Sequence, residues 1–136
     1  MKKSIFITLI SCLLLASCVD SDYPFADGQW QLKTITEAGI ETPVDTVFYN
    51  FMLKRNVFAY IVLTDDTPNG SYAFYGYIDT LSDKEIVLTL DEGSYTEFFF
   101  NYSDWREKQR RYEVLKLNSK EMILSFNNRT YSFKKH

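Results

Sequence analysis

The sequence is poor in the side chains on which enzymes most often depend. Its 136 residues include one histidine, His136, and two cysteines, Cys12 and Cys18. Histidine is the usual general base, and histidine and cysteine are the usual zinc ligands. Because there is no second histidine and both cysteines lie within the first 18 residues, we expect no catalytic residues, no metal site and no cofactor. The sequence therefore does not predict an enzyme.

Other ligand-binding motifs are missing as well. There are only five glycines, and none belongs to a glycine-rich loop that could cradle a phosphate group. Residues 65–70, DDTPNG, begin like an EF-hand loop, which needs Asp or Asn at its third position and Glu at its twelfth. Thr67 and Gly76 occupy those positions, so the segment is interpreted as a hairpin loop.

Positive charge is scarce too. Fifteen lysines and arginines stand against eighteen acids, which gives a formal net charge of −3. Removal of an N-terminal segment containing Lys2 and Lys3 would lower that charge to −5. Nucleic-acid binding depends on a positive surface. We therefore expect no nucleic-acid partner.

Long apolar runs are few, and the one at the N-terminus is short. Residues 5–16 follow two lysines, and they fall below the roughly 20 residues that a transmembrane helix needs. They fit the apolar region of a secretory signal peptide. Leu15, Ala16 and Ser17 before Cys18 resemble the lipobox of bacterial lipoproteins. In that family the cysteine sulfur receives a diacylglyceryl group, the chain is cut before it, and the new amine is acylated.

The lipobox resemblance implies a domain organisation and a location. Residues 1–17 would be the signal peptide, residues 18–26 the acylated cysteine and a polar tether, and residues 27–136 the folded domain. Cys18 would attach the protein to the outer membrane of the cell envelope, on the periplasmic side or at the surface. Asp20 and Asp22 resemble a sparse surface-export signal of Bacteroides-type bacteria. Since Cys12 leaves with the signal peptide, the mature chain would contain no disulfide.

What the sequence has in abundance is β-forming and aromatic residues. Aromatic residues make up 17% of the chain, with ten tyrosines and eleven phenylalanines. Short runs of such residues, separated by turn residues, predict strands. The predicted strands are residues 29–33, 46–53, 57–63, 71–79, 85–90, 95–102, 111–117, 120–126 and 129–134. Residues 104–110 predict one turn of helix, because Asp104 and Glu107 have the spacing of a capping box.

Eight or nine antiparallel strands joined by hairpins predict an all-β, closed up-and-down barrel, with a sandwich as the alternative. Closure would remove the exposed edges that aromatic strands offer to other chains. Alternation along four of the strands indicates one inward apolar face. Its predicted members are Val47, Tyr49, Phe51, Leu53, Ile86, Leu88, Leu90, Met122, Leu124, Phe126, Tyr131 and Phe133.

Two stretches resemble a known family. The sequence DGQW at residues 27–30 has a glycine two residues before a tryptophan, and it resembles the first strand of lipocalin-like domains. The C-terminal stretch LKLNSKEMILSFNNRTYSFKK resembles the last strands of small lipocalin-like lipoproteins of Bacteroides-type bacteria. The resemblance covers roughly residues 27–135. It implies an up-and-down barrel of about eight strands, in which Trp30 closes one end.

The aromatic content leaves two functional hypotheses open. A barrel of eight strands can be filled by its own side chains or can hold one small ligand. An open interior would favour capture of a small apolar ligand, and a filled interior with an exposed aromatic rim would favour an envelope protein partner, with the chain as an inhibitor or accessory subunit. The candidate ligand-lining residues are Trp30, Tyr49, Phe51, Phe74, Leu88, Phe126 and Tyr131.

Two surface features complete the set of candidate sites. Arg106, Lys108, Arg110 and Arg111 form a basic cluster around Trp105, which we interpret as a solvated loop face, with contact to an acidic partner or lipid headgroups as the alternative. Thr46 and Thr80 each follow an aspartate and precede an apolar residue. That order matches an O-glycosylation pattern of Bacteroides-type bacteria, which makes both threonines candidate glycosylation sites. The alternative is that they are turn residues whose hydroxyls bond the nearby backbone.

The lipid anchor can be tested at its cysteine. We expect wild-type protein to label with fatty acid and to partition into detergent, because several acyl chains bury far more methylene groups than marginal single-chain anchoring does. Cys18→Ala should leave an unlabelled and unprocessed precursor. Unlabelled wild-type protein in the soluble fraction would contradict the assignment.

Overall fold

Eight antiparallel strands pair in chain order and close into a barrel, with β8 returning to pair with β1. The computed structural model describes residues 23–136. The predicted signal peptide, both cysteines and the start of the predicted tether lie outside the described residues. The strands are β1 (Gly28–Glu37), β2 (Ile40–Met52), β3 (Val57–Leu63), β4 (Ser71–Leu81), β5 (Glu85–Leu90), β6 (Gln109–Leu117), β7 (Glu121–Phe126) and β8 (Arg129–Lys135). The predicted eight-stranded up-and-down barrel is confirmed.

Tight turns set the register of two hairpins. Asn127 and Asn128 both have positive φ, at 51° and 64°, which is the requirement of the two-residue turn that matches strand twist. Ala38 and Gly39, at 52° and 78°, make an equivalent turn between β1 and β2. The second hairpin was not predicted. β1 therefore extends beyond residue 33, and β2 begins at Ile40 instead of residue 46.

Two predicted elements between β5 and β6 are wrong. Residues 95–102 do not form a strand but contain a short helix, α1 (Glu97–Phe100), whose first turn is capped by the Thr96 side chain accepting from the Phe99 amide. Residues 104–110 do not form a helical turn, because Trp105 turns into the barrel and Gln109 already begins β6. The Glu107 carboxylate binds the Arg110 side chain instead of capping a helix.

The predicted inward face is buried, with one exception. Phe126 is only partly buried and packs at the edge of the core. Aromatic rings fill much of the interior, and Tyr49 alone lies within 6.5 Å, centroid to centroid, of five other rings. Gly76 permits this packing on β4, because a β-carbon there would lie 2.2 Å from the Thr89 carbonyl oxygen and 2.6 Å from the Phe58 ring.

One end of the barrel is sealed by Trp30, and we call it the closed end. Trp30 is fully buried, its indole Nε1 donates to the Ala26 carbonyl at 2.9 Å, and the Lys135 ammonium lies 4.6 Å from its ring centroid. Residues 24–26 form a 3₁₀ turn that places the buried Ala26 against the indole. The last residues of the predicted tether are thus packed on the barrel.

Replacement of Trp30 tests how far stability depends on this seal. Trp30→Ala should lower the free energy of unfolding by about 3–5 kcal/mol, because it removes a buried indole and leaves a cavity. Urea denaturation would measure the loss. As a control, Tyr77→Ala removes an outward side chain that is 55% exposed and should cost far less. Similar losses for both variants would contradict the role assigned to Trp30.

Candidate functional site

The end opposite Trp30, which we call the open end, is crossed by the longest connection in the described chain. Residues 91–108, here called the lid segment, join β5 to β6 and contain α1. Connections longer than about 12–15 residues are uncommon in compact domains, and they are usually functional. The shorter turns at 38–39, 64–70 and 127–128 lie at the same end, because they join the strands in the same sense as the lid segment does.

Two aromatic side chains of the lid segment enter the barrel. Phe99 packs between Tyr60 and Phe74, with ring centroids 5.2 and 4.8 Å away. Trp105 goes deeper, stacks on Phe58 at 6.0 Å and donates from Nε1 to the Tyr49 hydroxyl at 3.2 Å. Both lid side chains are fully buried. The centre of the barrel, where an open lipocalin-like barrel would hold a ligand, is occupied by the chain itself.

Beneath the lid segment lies a buried arginine. Arg110 is the second residue of β6 and is only 1% exposed, since the two-residue period of the strand directs it inward with Tyr112. Its guanidinium carbon lies 4.6 Å from the Trp105 ring centroid and 4.2 Å from that of Phe126. A guanidinium over aromatic faces gains cation–π attraction, which is larger when the group is desolvated.

Two carboxylates from the lid segment compensate the charge of Arg110. Its Nε donates to Glu107 Oε1 at 2.5 Å, and its Nη1 donates to Asp104 Oδ1 at 3.0 Å. Its Nη2 donates to the Asp104 carbonyl at 3.1 Å. A buried arginine without such partners would carry a large desolvation cost. The lid segment therefore holds Trp105 in the barrel and neutralises the barrel's buried charge at the same time.

Asp104 is the centre of this polar network. Besides Arg110, it accepts from Arg129 Nη1 at 3.2 Å and from the Tyr131 hydroxyl. Arg129 in turn donates to Glu37 at 2.5 Å, so the network reaches the end of β1. Within the described residues, no buried side-chain nitrogen or oxygen lacks a partner. One carboxylate thus ties the lid segment to both β6 and β8.

The tyrosines around Arg110 act as neutral hydrogen-bonding groups. Burial raises the pKa of Tyr49 and of Tyr112 well above the usual value, and their hydroxyls share a hydrogen bond of 2.5 Å. Burial, and then the hydrogen bond to Asp104, raises the pKa of Tyr131. All three stay protonated at physiological pH. They can hydrogen-bond a ligand but cannot serve as bases there.

A solvent-accessible cleft of about 440 Å³ lies beside the lid segment. Its floor is Arg110, Phe126 and Tyr131, and its rim carries both acids of the network together with Arg106 and Arg129. The cleft reaches the network from outside without opening the barrel. It marks the place where a small molecule could first meet Arg110.

The residues predicted to line a ligand site lie mostly in the core, and their contact with a ligand stays a prediction. Six of the seven are buried members of the core: Trp30, Tyr49, Phe51, Phe74, Leu88 and Tyr131. The seventh, Phe126, is the partly buried exception and covers the Arg110 guanidinium. These residues surround space that the lid segment fills. In this conformation the barrel is filled by its own side chains, which is one of the two alternatives that the sequence left open.

Sequence reasoning missed the lid residues and misplaced the basic cluster. Arg110 is not part of a solvated face but is buried, and the alternation of Arg110, Tyr112 and Val114 along β6 could have indicated this. Phe99 and Trp105 carried no such signal, because an irregular connection has no period. Lys108 and Arg111 are exposed or half-exposed cations in ion pairs, as expected for a surface.

Other candidate residues lie outside this site. Thr46 is exposed and Thr80 is half-buried, and their glycosylation stays a prediction. His136 packs its ring against Phe48, 5.0 Å between centroids. Residues 23–136 contain no group of three potential metal ligands from His, Cys, Asp and Glu. Within the same range, every helix is too short or too polar to cross a membrane.

Comparisons with known proteins point to one family. The sequence profile of the lipocalin-like domain family matches residues 13–136. The chain is similar to the crystal structure of a lipocalin-like protein from Bacteroides uniformis, with 29% identity and a TM-score of 0.72 over 82% of this chain and 99% of that one. It is also similar to an uncharacterized protein from Bacteroides eggerthii, with 27% identity and a TM-score of 0.66 over 81% of this chain and 98% of that one. No curated protein matches the chain.

The Asp104 network gives a testable stability difference. Asp104→Asn should lower the free energy of unfolding by about 2 kcal/mol, because the amide leaves charged donors with a weaker partner. Glu121→Gln is the matched control, since its exposed ion pair with Lys116 spans 3.5 Å and should contribute less than about 1 kcal/mol. Denaturant titration measures both. An effect of Asp104→Asn no larger than that of Glu121→Gln would contradict the central role of Asp104.

Proposed function

Because the chain belongs to the lipocalin-like domain family, we propose that it is a lipid-anchored binding module of the bacterial cell envelope. In this proposal it captures a small amphipathic acid in the barrel when the lid segment withdraws. The anchor is Cys18, and the site is the space that the lid residues now fill. The protein carries out no catalysis. Asp104 and Glu107 are already engaged in hydrogen bonds with a charged donor, Arg110, and the nearby tyrosines stay protonated.

The observation that carries the proposal is the chemistry of the lid side chains inside the barrel. Trp105 supplies a large apolar ring, and its neighbour Asp104 supplies a carboxylate to Arg110. A ligand with an apolar body and an acidic head would make the same two kinds of contact. The lid segment thus occupies the barrel much as such a ligand would. Exchange of one for the other would preserve both the apolar contacts and the ion pair.

Charge balance narrows the class of ligand. If the lid segment withdrew, Asp104, Glu107 and Trp105 would leave together, and Arg110 would lose its carboxylate partners. An uncompensated buried guanidinium is strongly disfavoured. A carboxylate or phosphate brought by the ligand would restore the balance, with Tyr112 and Tyr131 as further hydrogen-bonding groups. An uncharged apolar ligand would leave the arginine unpaired, so it should bind much less well.

A second candidate, protein–protein interaction, is favoured by a different observation. The interior is filled, and the lid segment leaves Phe98 and Tyr95 exposed at the open end. Phe98 packs edge-on against Tyr72 and Tyr102, at 5.0 and 5.2 Å between centroids. Exposed aromatic groups of this kind are typical of interaction sites. In that case the lid segment would stay closed, and the partner would bind its outer surface.

Trp105 provides a direct readout of the first candidate. The chain contains two tryptophans, so Trp30→Phe leaves Trp105 as the only indole. Dodecanoate should shift the emission of this variant as Trp105 leaves the barrel. Dodecanol, its uncharged counterpart, should bind at least about tenfold more weakly, because Arg110 would be left without a partner. Calorimetric titration of the wild-type protein with both compounds checks the affinities without the substitution.

Arg110 and the exposed aromatics separate the two candidates. Arg110→Met keeps an apolar side chain of similar length and should abolish the preference for dodecanoate over dodecanol. Phe98→Ala removes a half-exposed ring that does not contact Arg110 or Trp105, so it should leave that preference unchanged. Absence of dodecanoate binding in the wild-type protein, with Trp105 emission unchanged, would contradict the ligand proposal and favour the protein partner.

A further inference from the structure

The closed end of the barrel carries a group of exposed cations. Lys54 and Arg55 lie in the turn after β2, and Lys84 lies in the turn between β4 and β5. Lys120 precedes β7, and Lys134 is near the end of β8. All five are exposed. We call these five residues the basic face.

The basic face differs from the other cations in its lack of partners. Among residues 23–136, its five side chains make neither an ion pair nor a hydrogen bond. The cations elsewhere are engaged. Lys33, Lys108, Arg110, Arg111, Lys116 and Arg129 form ion pairs with acids. Arg106 and Lys135 donate to backbone carbonyls.

Acids are distributed in the opposite way. Exposed carboxylates crowd the open end: Glu37, Glu41, Asp65, Asp66, Glu92 and Glu97. At the closed end, Glu85 and Glu121 are paired with Arg111 and Lys116, and Asp27 accepts from the Leu53 amide. Asp83 is a further exposed acid there, and Glu113 lies opposite Glu85 on β6. The barrel is therefore electrically polar along its axis, positive at the closed end and negative at the open end.

The chain enters the fold at the basic face. Tyr23 and Phe25 are partly exposed at the closed end, where Lys135 donates to the Phe25 carbonyl. Four residues separate Cys18 from Tyr23, and the five residue steps from one to the other span at most about 18 Å. An acylated Cys18 would thus keep the closed end close to the headgroups, where surface charges are felt over about a Debye length of 8–10 Å.

We infer that the basic face docks on the phosphate groups of anionic lipid headgroups and directs the open end away from the membrane. Negative membrane surfaces attract clustered lysines and arginines, and each such residue contributes roughly a fivefold increase in partitioning. Tyr23 and Phe25 have the aromatic character of side chains that favour the headgroup region. The acidic open end is repelled by the same surface. An orientation with the open end facing the membrane is therefore disfavoured.

This inference deepens the proposed function and relies on its lipid anchor for the position of the closed end. It adds a lipid headgroup surface as the partner of the closed end, and it orients the ligand site away from the membrane. Ligand capture does not depend on it, since Arg110 and the lid segment lie at the other end. Binding to vesicles and binding of dodecanoate can therefore succeed or fail separately.

The test uses the protein from residue 18 onward, with Cys18→Ser to remove the acyl chains. It is mixed with phosphatidylcholine vesicles or with vesicles containing about one third phosphatidylglycerol, and bound protein is measured by sedimentation. The protein should bind the vesicles that contain phosphatidylglycerol and should not bind those of phosphatidylcholine only. About 0.5 M salt should release the bound protein, because it screens the attraction between charges. The triple variant Lys54→Gln, Arg55→Gln, Lys120→Gln should bind about a hundredfold more weakly, from roughly fivefold per cation.

A matched variant controls for net charge. Lys33→Gln, Arg106→Gln, Lys108→Gln also removes three cations, but none of them lies at the closed end, since Lys33 is within β1 and the other two belong to the lid segment. Its binding should stay within a few-fold of the parent protein, and circular dichroism would verify that both variants fold. Equal losses in the two variants, no preference for anionic vesicles, or tighter binding to duplex DNA than to vesicles at equal phosphate concentration would each overturn the inference.

Discussion

The structure depends most on how the buried charge of Arg110 is neutralised. The guanidinium lies inside an aromatic barrel at 1% exposure, and its carboxylate partners, Asp104 and Glu107, both come from the lid segment. Because a buried charge without partners is strongly disfavoured, the lid segment cannot leave the barrel without a substitute. The position of Trp105, the filling of the interior and the closure of the open end all follow from this one requirement.

The same requirement connects a packed interior with a binding function. The ring of Trp105 completes a core that would otherwise contain space, and the Asp104 carboxylate completes an ion pair. Both groups belong to a connection, not to the barrel wall. Connections have fewer packing constraints than strands and open at lower free-energy cost. In the proposed function, the barrel would therefore be filled at rest and would still present a site with defined chemistry when the lid segment withdraws.

The two ends of the barrel differ in their chemistry. Trp30 seals the closed end through the Ala26 carbonyl, and the exposed cations of the basic face lie around it. The open end carries the acids, the lid segment and the cleft over Arg110. Tyr23, the first described residue, lies at the closed end. With an anchor on Cys18, this arrangement would separate attachment from recognition by the full length of the barrel.

The sequence by itself determined what local patterns can encode. Two-residue alternation predicted the strands and the inward face, and the turn at Asn127 and Asn128 followed from residue type. The closed end at Trp30 was implied by the resemblance of residues 27–30 to the first strand of lipocalin-like domains. Only the tertiary structure decided the lid segment. The aromatic run around Phe99 has the composition of a strand, but Thr96 caps a short helix there. The Phe99 ring packs inside the barrel against Phe74. Trp105 and the carboxylates meet Arg110 only after eight strands have closed, because their contacts depend on distances that no local pattern specifies.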